Sequence, residues 1–270
     1  MSINAIVDNV TYNGIQTISV GGKTIALEES GGTSGYTADD IVNPAGIGGD
    51  IVITFDGSAR PYAFVNSAIT SVVIENNCAN LSMFEGCNEL ESIIAPKITT
   101  LTDKNNFARN CTKLTTVRLP TLRDSGSGIF DGCSSLSAIA LPSVRYIFTV
   151  HFRDCTSLAV ADFGPEVQFI RGEIFKGCSS LGTLILRNAN GVSPLSYTNC
   201  FNGTPFASGG SGGTIYIPEV MYNHLGDGSS LDYIAASNWN TIYGYGTISW
   251  AKIEGSAYET HYADGTSVSA

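Results

Sequence analysis

One short phrase recurs five times in the middle of this 270-residue chain. Each copy begins with phenylalanine, reaches a cysteine three or four residues later, and has a leucine three residues beyond that cysteine. The copies begin at Phe84, Phe107, Phe130, Phe152 and Phe175, so that their spacings are 23, 23, 22 and 23 residues. A period this regular predicts a stack of similar units, a solenoid.

An apolar segment that ends at proline follows each of the first three cysteines. In the second unit it runs from Leu114 through Val117 and Leu119 to Pro120, with the last two apolar positions two residues apart, as on one face of a strand. A second apolar pair follows the proline. These segments predict two short strands per unit, joined by a tight turn at the Phe-Cys phrase. Weaker copies on both sides extend the prediction to six or seven units over residues 64–218.

Most of the seven cysteines also follow the repeat. Five of them lie at the same phase, Cys200 is expected to continue that row, and Cys78 lies outside it. The odd total cannot pair completely, and no Cys-x-x-Cys pair or mixed Cys/His cluster is present. We therefore expect a buried row of free thiols rather than disulfides or a metal site.

Composition and motifs restrict the classes of function. Only 14% of residues are charged and the net charge is −10, whereas nucleic-acid binding calls for a basic face. No apolar run is long enough to span a membrane. The three histidines, His151, His224 and His261, fall in different regions, and no nucleophile, phosphate-loop, zinc or dinucleotide motif is present. We expect a protein without enzymatic activity, cofactor or metal.

The N-terminal segment, residues 1–63, has a different sequence pattern. Alternating apolar and polar residues around Asn13-Gly14 and Gly21-Gly22 predict two hairpins, and Asp50 to Phe55 predicts a strand that covers the edge of the first unit. The first residues lack the basic and apolar regions of a secretory signal. The chain is therefore expected to be made and folded in a cytoplasm.

The C-terminal segment, residues 219–270, begins with two short helical patterns at 219–225 and 231–239. Its expected role is to cap the last unit with Trp239 and Tyr243. The stretch from Gly255 onwards shows little periodicity, which predicts a tail that becomes ordered only against a partner.

The Phe-x-Gly-Cys-x-x-Leu corner and the Leu-x-x-Ile-x-Leu-Pro strand resemble the BspA-type leucine-rich repeat over residues 64–218. This resemblance implies a mainly β fold, a leucine-rich-repeat β-solenoid. Ala161, Phe163 and Gly164-Pro165 depart from the repeat in the fourth unit, and the corner from Phe107 to Cys111 has one extra residue. Local bulges are expected at these departures.

A second, shorter resemblance lies in the N-terminal segment. The stretches Ile18 to Ile25 and Tyr36 to Val42 are similar to the N-terminal segment of tail-associated virion proteins of phages that infect gut bacteria. This implies a tail or head decoration or fibre in the virion, docked to other virion proteins through residues 1–63 and oligomeric, with a trimer plausible. The alternative is a bacterial cell-surface adhesin with the same repeats. A glycan hydrolase is disfavoured, because it needs two carboxylates across a cleft.

The outward positions of the second strand are the candidate binding face. Aromatic residues flanked by arginines are good contact residues for a host-surface glycan or protein. The alternative is a face that is solvated or packed on a neighbouring subunit. The candidate residues are Thr100, Tyr146 and Phe169, at matching phase, beside Arg123, Arg145 and Arg171.

Overall fold

The structure is a computed structural model. It describes the side chains of residues 66, 68–74, 84–101, 106–168, 172–189, 200–207, 209–227 and 249–253, and only the backbone of the remaining strands. The elements in chain order are β1 (Ile3–Val7), β2 (Val10–Ile15), β3 (Thr17–Val20), β4 (Lys23–Ala26), β5 (Gly48–Phe55), β6 (Ala68–Ile74), β7 (Ser92–Ile94), β8 (Thr100–Leu101), β9 (Thr116–Arg118), β10 (Asp124–Ser125), β11 (Ala138–Leu141), β12 (Tyr146–Ile147), β13 (Val160–Phe163), β14 (Phe169–Arg171), β15 (Thr183–Leu186), β16 (Ser193–Leu195), β17 (Gly213–Pro218), α1 (Glu219–Tyr222), β18 (Ile248–Ile253), β19 (Thr260–His261) and β20 (Ser267–Val268).

Five successive units contribute one strand to each of two sides of the molecule. The first strands, β6, β7, β9, β11, β13, β15 and β17, pair in parallel in two sheets, one ending at β9 and the other starting at β11. The second strands, β8, β10, β12, β14 and β16, form a separate parallel sheet, called the second sheet below. This arrangement confirms the mainly β solenoid, with seven first strands between residues 68 and 218.

The phenylalanines of the repeated phrase stack through the core. The ring centroids of Phe84 and Phe107 are 5.5 Å apart, those of Phe152 and Phe175 are 5.8 Å apart, and all of these rings are fully buried. Contacts of this length and orientation between aromatic rings add to the free energy of burial. One ring per unit therefore forms a continuous ladder that holds successive units in register.

The cysteines form a second ladder beside the rings. The Cys111 thiol donates to the Phe84 carbonyl at 3.0 Å, and the Cys178 thiol donates to the Phe152 carbonyl at 2.9 Å. Burial raises the pKa of Cys178 to about 12, which leaves a neutral, unreactive thiol. All five thiols of the repeat phase are free and buried, which confirms that prediction.

Cys200 does not continue this row, so that part of the prediction was wrong. The Cys200 carbonyl accepts the backbone N–H of Phe175, and the next ring of the ladder is Phe201, 5.5 Å from Phe175. Thr204 therefore takes the cysteine position, and its hydroxyl donates to the Phe201 carbonyl at 2.7 Å. The last corner is Phe-Asn-Gly-Thr, which preserves the turn while replacing the thiol. Cys78 lies outside the described residues.

The third position of each corner requires a left-handed backbone. Gly132 has φ of 77° and Gly177 has φ of 82°, while Asn110 and Asp154 occupy the same position with φ of 59° and 58°. A β-carbon on Gly132 would lie only 2.4 Å from the Asn110 side-chain oxygen of the preceding unit. Glycine alternates with Asn or Asp because both tolerate this conformation and only glycine leaves room for its neighbour's side chain.

The expected bulge in the fourth unit is absent. β13 pairs in continuous register with β11 and β15, and the Phe163 ring joins the core 6.3 Å from Phe152. Gly164 is required here, since a β-carbon would lie 1.6 Å from the Pro142 carbonyl oxygen. The extra residue after Phe107 is absorbed within the corner, where the Cys133 thiol donates to Ala108 instead of the phenylalanine.

The N-terminal strands extend the sheet of first strands. β5 pairs in parallel with β6, which confirms the strand at the first edge, while β1 pairs with β5 and β2 with β1 in antiparallel fashion. β3 and β4 form the hairpin expected at Gly21-Gly22. The prediction of a hairpin turn at Asn13-Gly14 was wrong, because both residues lie inside β2. The register of β1 against β2 shifts opposite these two residues, between Ile3 and Ala5. Gly14 therefore lies at an irregularity of the strand pairing, where glycine is common.

The last unit is covered by β18, which pairs in parallel with β17 and packs Trp250 against the core. α1 confirms a short helix at the first of the two helical patterns. The second pattern, Trp239 and Tyr243 lie outside the described residues. The prediction of a tail that becomes ordered only against a partner was wrong for part of the segment. β19 and β20 pair as an antiparallel hairpin, and β19 contacts β11.

Candidate functional site

The second sheet aligns one position from each of its five strands in register. The register places in one row Thr100, Asp124, Tyr146, Phe169 and Ser193. The matching phase of the three residues predicted from the sequence is therefore confirmed for their backbones. Asp124 and Ser193 complete the row. The second apolar pair of the repeat located the other three residues, and Ser125 and Pro194 interrupt that pair in β10 and β16.

Alternation along these short strands sets the row on the outside. Leu101 and Ile147, the residues that follow Thr100 and Tyr146, are buried in the core, whereas Thr100 and Tyr146 are only partly buried. Successive side chains of a strand point to opposite faces. Thr100 and Tyr146 therefore present their side chains on the flank of the solenoid.

Two of the three predicted arginines lie side by side. The Arg145 backbone N–H donates to the Arg123 carbonyl at 2.9 Å, and the next position of that row is Gln168. Arg171 instead pairs with Leu195, farther along β14 than Phe169. The structure therefore separates Arg171 from the other two arginines. The side chains of Phe169 and Arg171 lie outside the described set.

The two neighbouring arginines differ in their electrostatic state. The Arg145 Nε donates to Glu166 Oε2 at 2.9 Å, and the guanidinium holds the pKa of the Glu166 carboxyl below its usual value. Arg123 is exposed, and within the described residues it forms no ion pair. Of these two arginines it is therefore the freer to contact a partner, and its charge helps to lower the pKa of the Glu166 carboxyl.

An aromatic residue that the sequence reasoning missed adjoins Tyr146. The rings of Tyr146 and Phe148 have centroids 6.2 Å apart with planes tilted by 43°, and both are partly exposed. The Tyr-Ile-Phe alternation was the available signal, because residues two apart on a strand share a face. We call Arg123, Arg145, Tyr146 and Phe148 together the flank patch.

The outer face of the first strands differs from the flank patch. Ala140, Asp162 and Ile185 point away from the core, between inward neighbours, and yet are buried. Asp162 accepts two hydrogen bonds from the Arg187 guanidinium, both at 2.8 Å. β19 also lies close to β11, a strand of this side. The flank patch is the more accessible surface.

The described histidines occupy unrelated environments. His151 is completely buried, whereas the exposed His224 ring places Nδ1 2.7 Å from Asp227 Oδ2. The side chain of His261 is not among those described. Within the described residues no group of three or more His, Cys, Asp or Glu side chains could hold a metal ion. No helix in the same part of the chain is long and apolar enough to cross a membrane.

Comparisons with known proteins identify the repeat. The family model described as the BspA type leucine rich repeat region matches six copies over residues 58–182. Among solved structures, a leucine-rich repeat protein from Bacteroides ovatus is 28% identical with a TM-score of 0.47, and the match covers 53% of this chain and 38% of that one. The T. pallidum leucine rich repeat protein is 24% identical with a TM-score of 0.43, covering 50% and 73%.

The chain thus spans well under half the length of the Bacteroides ovatus protein. A search of curated proteins found no significant match. The family model covers the stretch in which the phenylalanine and cysteine ladders run, so that the same residues define the repeat in sequence and in space. Residues 58–182 accordingly match the BspA-type leucine-rich repeat in sequence and form repeated units in space.

Proposed function

We propose that this protein is a non-enzymatic binding protein whose solenoid presents the flank patch to a host-surface glycan or protein. The observation that carries the proposal is the pair of partly exposed rings, Tyr146 and Phe148, beside the exposed cation Arg123. Aromatic residues and arginine contribute most to binding because they offer large contact areas and directional charge. Parallel strands fixed by the core ladders hold these side chains in place before a partner arrives.

A binding role also fits the carboxylates of this flank better than hydrolysis does. Asp124 and Glu166 both act on the charge of Arg145, and the Glu166 carboxylate accepts a hydrogen bond from its guanidinium. Glycoside hydrolysis needs two carboxyl groups that face each other across the scissile bond. The flank instead resembles the surfaces that bind a partner without transforming it.

The finer proposal is a phage virion component, a tail or head decoration or fibre. It is supported by the similarity of Ile18 to Ile25 and Tyr36 to Val42 to tail-associated virion proteins. Residues 1–63 would attach the chain to other virion proteins, residues 64–218 would bind, and residues 219–270 would cap the solenoid. Because β5 continues the sheet of the first unit, the attachment segment would transmit the particle's orientation to the flank patch.

The second candidate is a bacterial cell-surface adhesin, which is favoured by the BspA-type repeats themselves. The two candidates differ in where the protein resides. Gold-labelled antibodies against the purified chain should decorate phage particles if the first is right and intact bacterial cells if the second is right. Light scattering coupled to size-exclusion chromatography tests the expected homo-oligomer, and a strict monomer would contradict a trimeric fibre.

Binding itself is tested with a glycan array and with whole gut-bacterial cells. The variant that carries Tyr146→Ser and Phe148→Ser should bind at least about tenfold more weakly, because it removes both rings of the flank patch. Tyr216→Ser is the matched control, since Tyr216 is a partly buried tyrosine that points outward on a first strand. Equal binding by the double variant and the wild type would overturn the proposal.

A further inference from the structure

A buried polar pair lies in the core directly behind the flank patch. His151 is fully buried and Ser125 is 3% exposed, with His151 Nε2 2.8 Å from the Ser125 hydroxyl. The other ring nitrogen, Nδ1, is 3.1 Å from the Phe148 carbonyl. A carbonyl only accepts, so Nδ1 carries the proton of the neutral ring and Nε2 accepts the hydrogen bond of the serine.

Other units place apolar residues at these two positions. The carbonyl that accepts the N–H of the corner phenylalanine belongs to His151 in one unit and to Ile174 in the next. Ser125 is in register with the buried Leu101, and Ile147 is the corresponding residue of β12. A polar pair in an apolar core costs stability relative to well-packed apolar side chains. Within the described residues, this polar pair joins the two neighbouring units that carry the flank patch.

The pair is connected to the backbone of both aromatic residues. His151 contacts the carbonyl of Phe148, and the Ser125 hydroxyl also lies 3.2 Å from the carbonyl of Tyr146. The two carbonyls belong to the residues whose rings form the exposed pair. The buried pair therefore contacts the backbone that carries both rings.

The turn that joins these residues is strained. Val150 has φ of 53°, where the corresponding turns of other units have Asn106, Gly128 or Gly172. A β-branched residue in this conformation is a true outlier, and such strain persists only where the surroundings enforce it. Releasing the contacts of His151 would allow this turn to relax.

We propose that His151 and Ser125 form a proton-sensitive positioning device for the flank patch. The neutral imidazole holds the turn from Phe148 to His151 and so fixes the two rings, and the protonated imidazole releases that turn. The regulatory meaning of this device depends on the proposed function of the flank patch. The device itself is a property of the unliganded protein.

The hydrogen bonds alone would survive protonation. An imidazolium would donate from Nε2 to Ser125, whose own hydrogen would turn to the Tyr146 carbonyl 3.2 Å away. The closed turn is instead destabilised by the positive charge, which would lie in the core without a counter-ion. Burial lowers the pKa of His151 to about 4, against a weaker opposing effect of the Phe148 and Thr149 carbonyls.

The acidic groups on the neighbouring elements do not supply that counter-ion. Asp131 accepts from Arg153 at 3.0 Å, and Glu173 accepts from Lys176 at 3.0 Å. Asp124 lies on the outward face of β10, opposite in direction to Ser125. None of these carboxylates is among the groups that shift the pKa of His151.

The sign of the pH effect follows from the two states of His151. The unfolded chain binds a proton near pH 6.5, whereas the folded protein binds one only near pH 4. Stability is therefore complete above pH 6.5 and is lost as the pH falls from 6.5 towards 4. At pH 5 the ratio of folded to unfolded protein should be about 30-fold lower than at pH 7.5 through this residue alone.

The first test is an NMR titration of the full chain. One of the three histidine ring signals should titrate near pH 4, and that signal should be missing in His151→Gln, which keeps an amide donor and acceptor in place of the ring. Titration of all three signals between pH 6 and 7 would overturn the proposal. The wild-type titration needs no variant, so the test stands even if a substitution prevents folding.

The second test is amide hydrogen exchange, corrected for the intrinsic effect of pH. The control variant combines Ser125→Ile and His151→Ile and so places at both positions the residue found at the corresponding positions, Ile147 and Ile174. Amides 146–150 of the wild type should lose protection at least about fivefold at pH 5 relative to pH 7.5, while those of the control variant should not. Equal losses in both proteins would overturn the proposal. No ligand is used, so the result is independent of whether the flank patch binds anything.

Discussion

The Phe-Cys corner and the second sheet repeat with the same period but differ in what they conserve from unit to unit. At the corner, the same two residue types recur in five units, and every phenylalanine is fully buried. In the second sheet the outward row changes from Thr100 to Asp124 to Tyr146 along three neighbouring strands. The corner thus defines the stack, whereas the second sheet is free to differ.

The difference has a physical cause. A corner ring contacts the rings of both neighbouring units, and so a change in one unit disturbs two interfaces. An outward residue of the second sheet contributes its backbone to the stack, while its side chain meets solvent. Specific recognition can therefore develop there at little cost to folding.

The largest expected contrast concerns access to the thiols of the corner. In the native protein at pH 8, a thiol reagent should label Cys87, Cys111, Cys133, Cys155 and Cys178 more than about a thousandfold more slowly than in denaturant, because each thiol must first be exposed by unfolding. Mass spectrometry of quenched samples identifies the labelled sites. Rapid labelling of most of them would show that the corner is not a sealed ladder.

Phe152→Ala should cause the largest loss of stability among single substitutions in the corner. Its ring stacks on Phe130 at 5.9 Å and on Phe175 at 5.8 Å, and it also contacts Phe163. Truncation of a buried phenylalanine costs about 3–5 kcal/mol. Urea denaturation measures this loss in the free energy of unfolding. A loss no larger than that caused by substituting an exposed residue would contradict the role of the ladder.

Gly132→Ala tests the alternation of glycine with Asn and Asp at the corner. The new methyl group would combine φ of 77° with an approach of 2.4 Å to the Asn110 side-chain oxygen, at an expected cost of about 2 kcal/mol. Asn110→Gly in the same chain removes the clash and should restore part of the stability. A double variant no more stable than Gly132→Ala would assign the whole cost to backbone conformation.

The same contrast explains what the sequence could predict. The period, the ring positions and five thiols were predictable because a buried residue repeated 22 or 23 residues apart has one simple explanation. Cys200 was misassigned because the last unit is longer and Thr204 replaces the thiol. Gly14 was misassigned because pairing of β2 with β1 outweighs the local turn preference of Asn-Gly.

The flank patch was predictable only in part, for a related reason. Tyr146 and Arg145 were found because their phase follows from the buried residues around them. The pairing of Arg145 with Glu166 and the position of His151 behind Phe148 depend on contacts between units, which no single repeat reveals. The period therefore predicts the contacts of residues that repeat, but not the contacts of residues that break the pattern.

The smallest expected effect is that of Tyr146→Ser on folding. The tyrosine is partly exposed and its ring touches Phe148 at a centroid distance of 6.2 Å, so its loss should lower the free energy of unfolding by only about 0.5–1 kcal/mol. In the same urea titration, Phe152→Ala should lower the free energy of unfolding severalfold more than Tyr146→Ser does. If Tyr146→Ser proved as damaging as Phe152→Ala, the second sheet would be a structural element like the corner, and its variation could not be attributed to recognition.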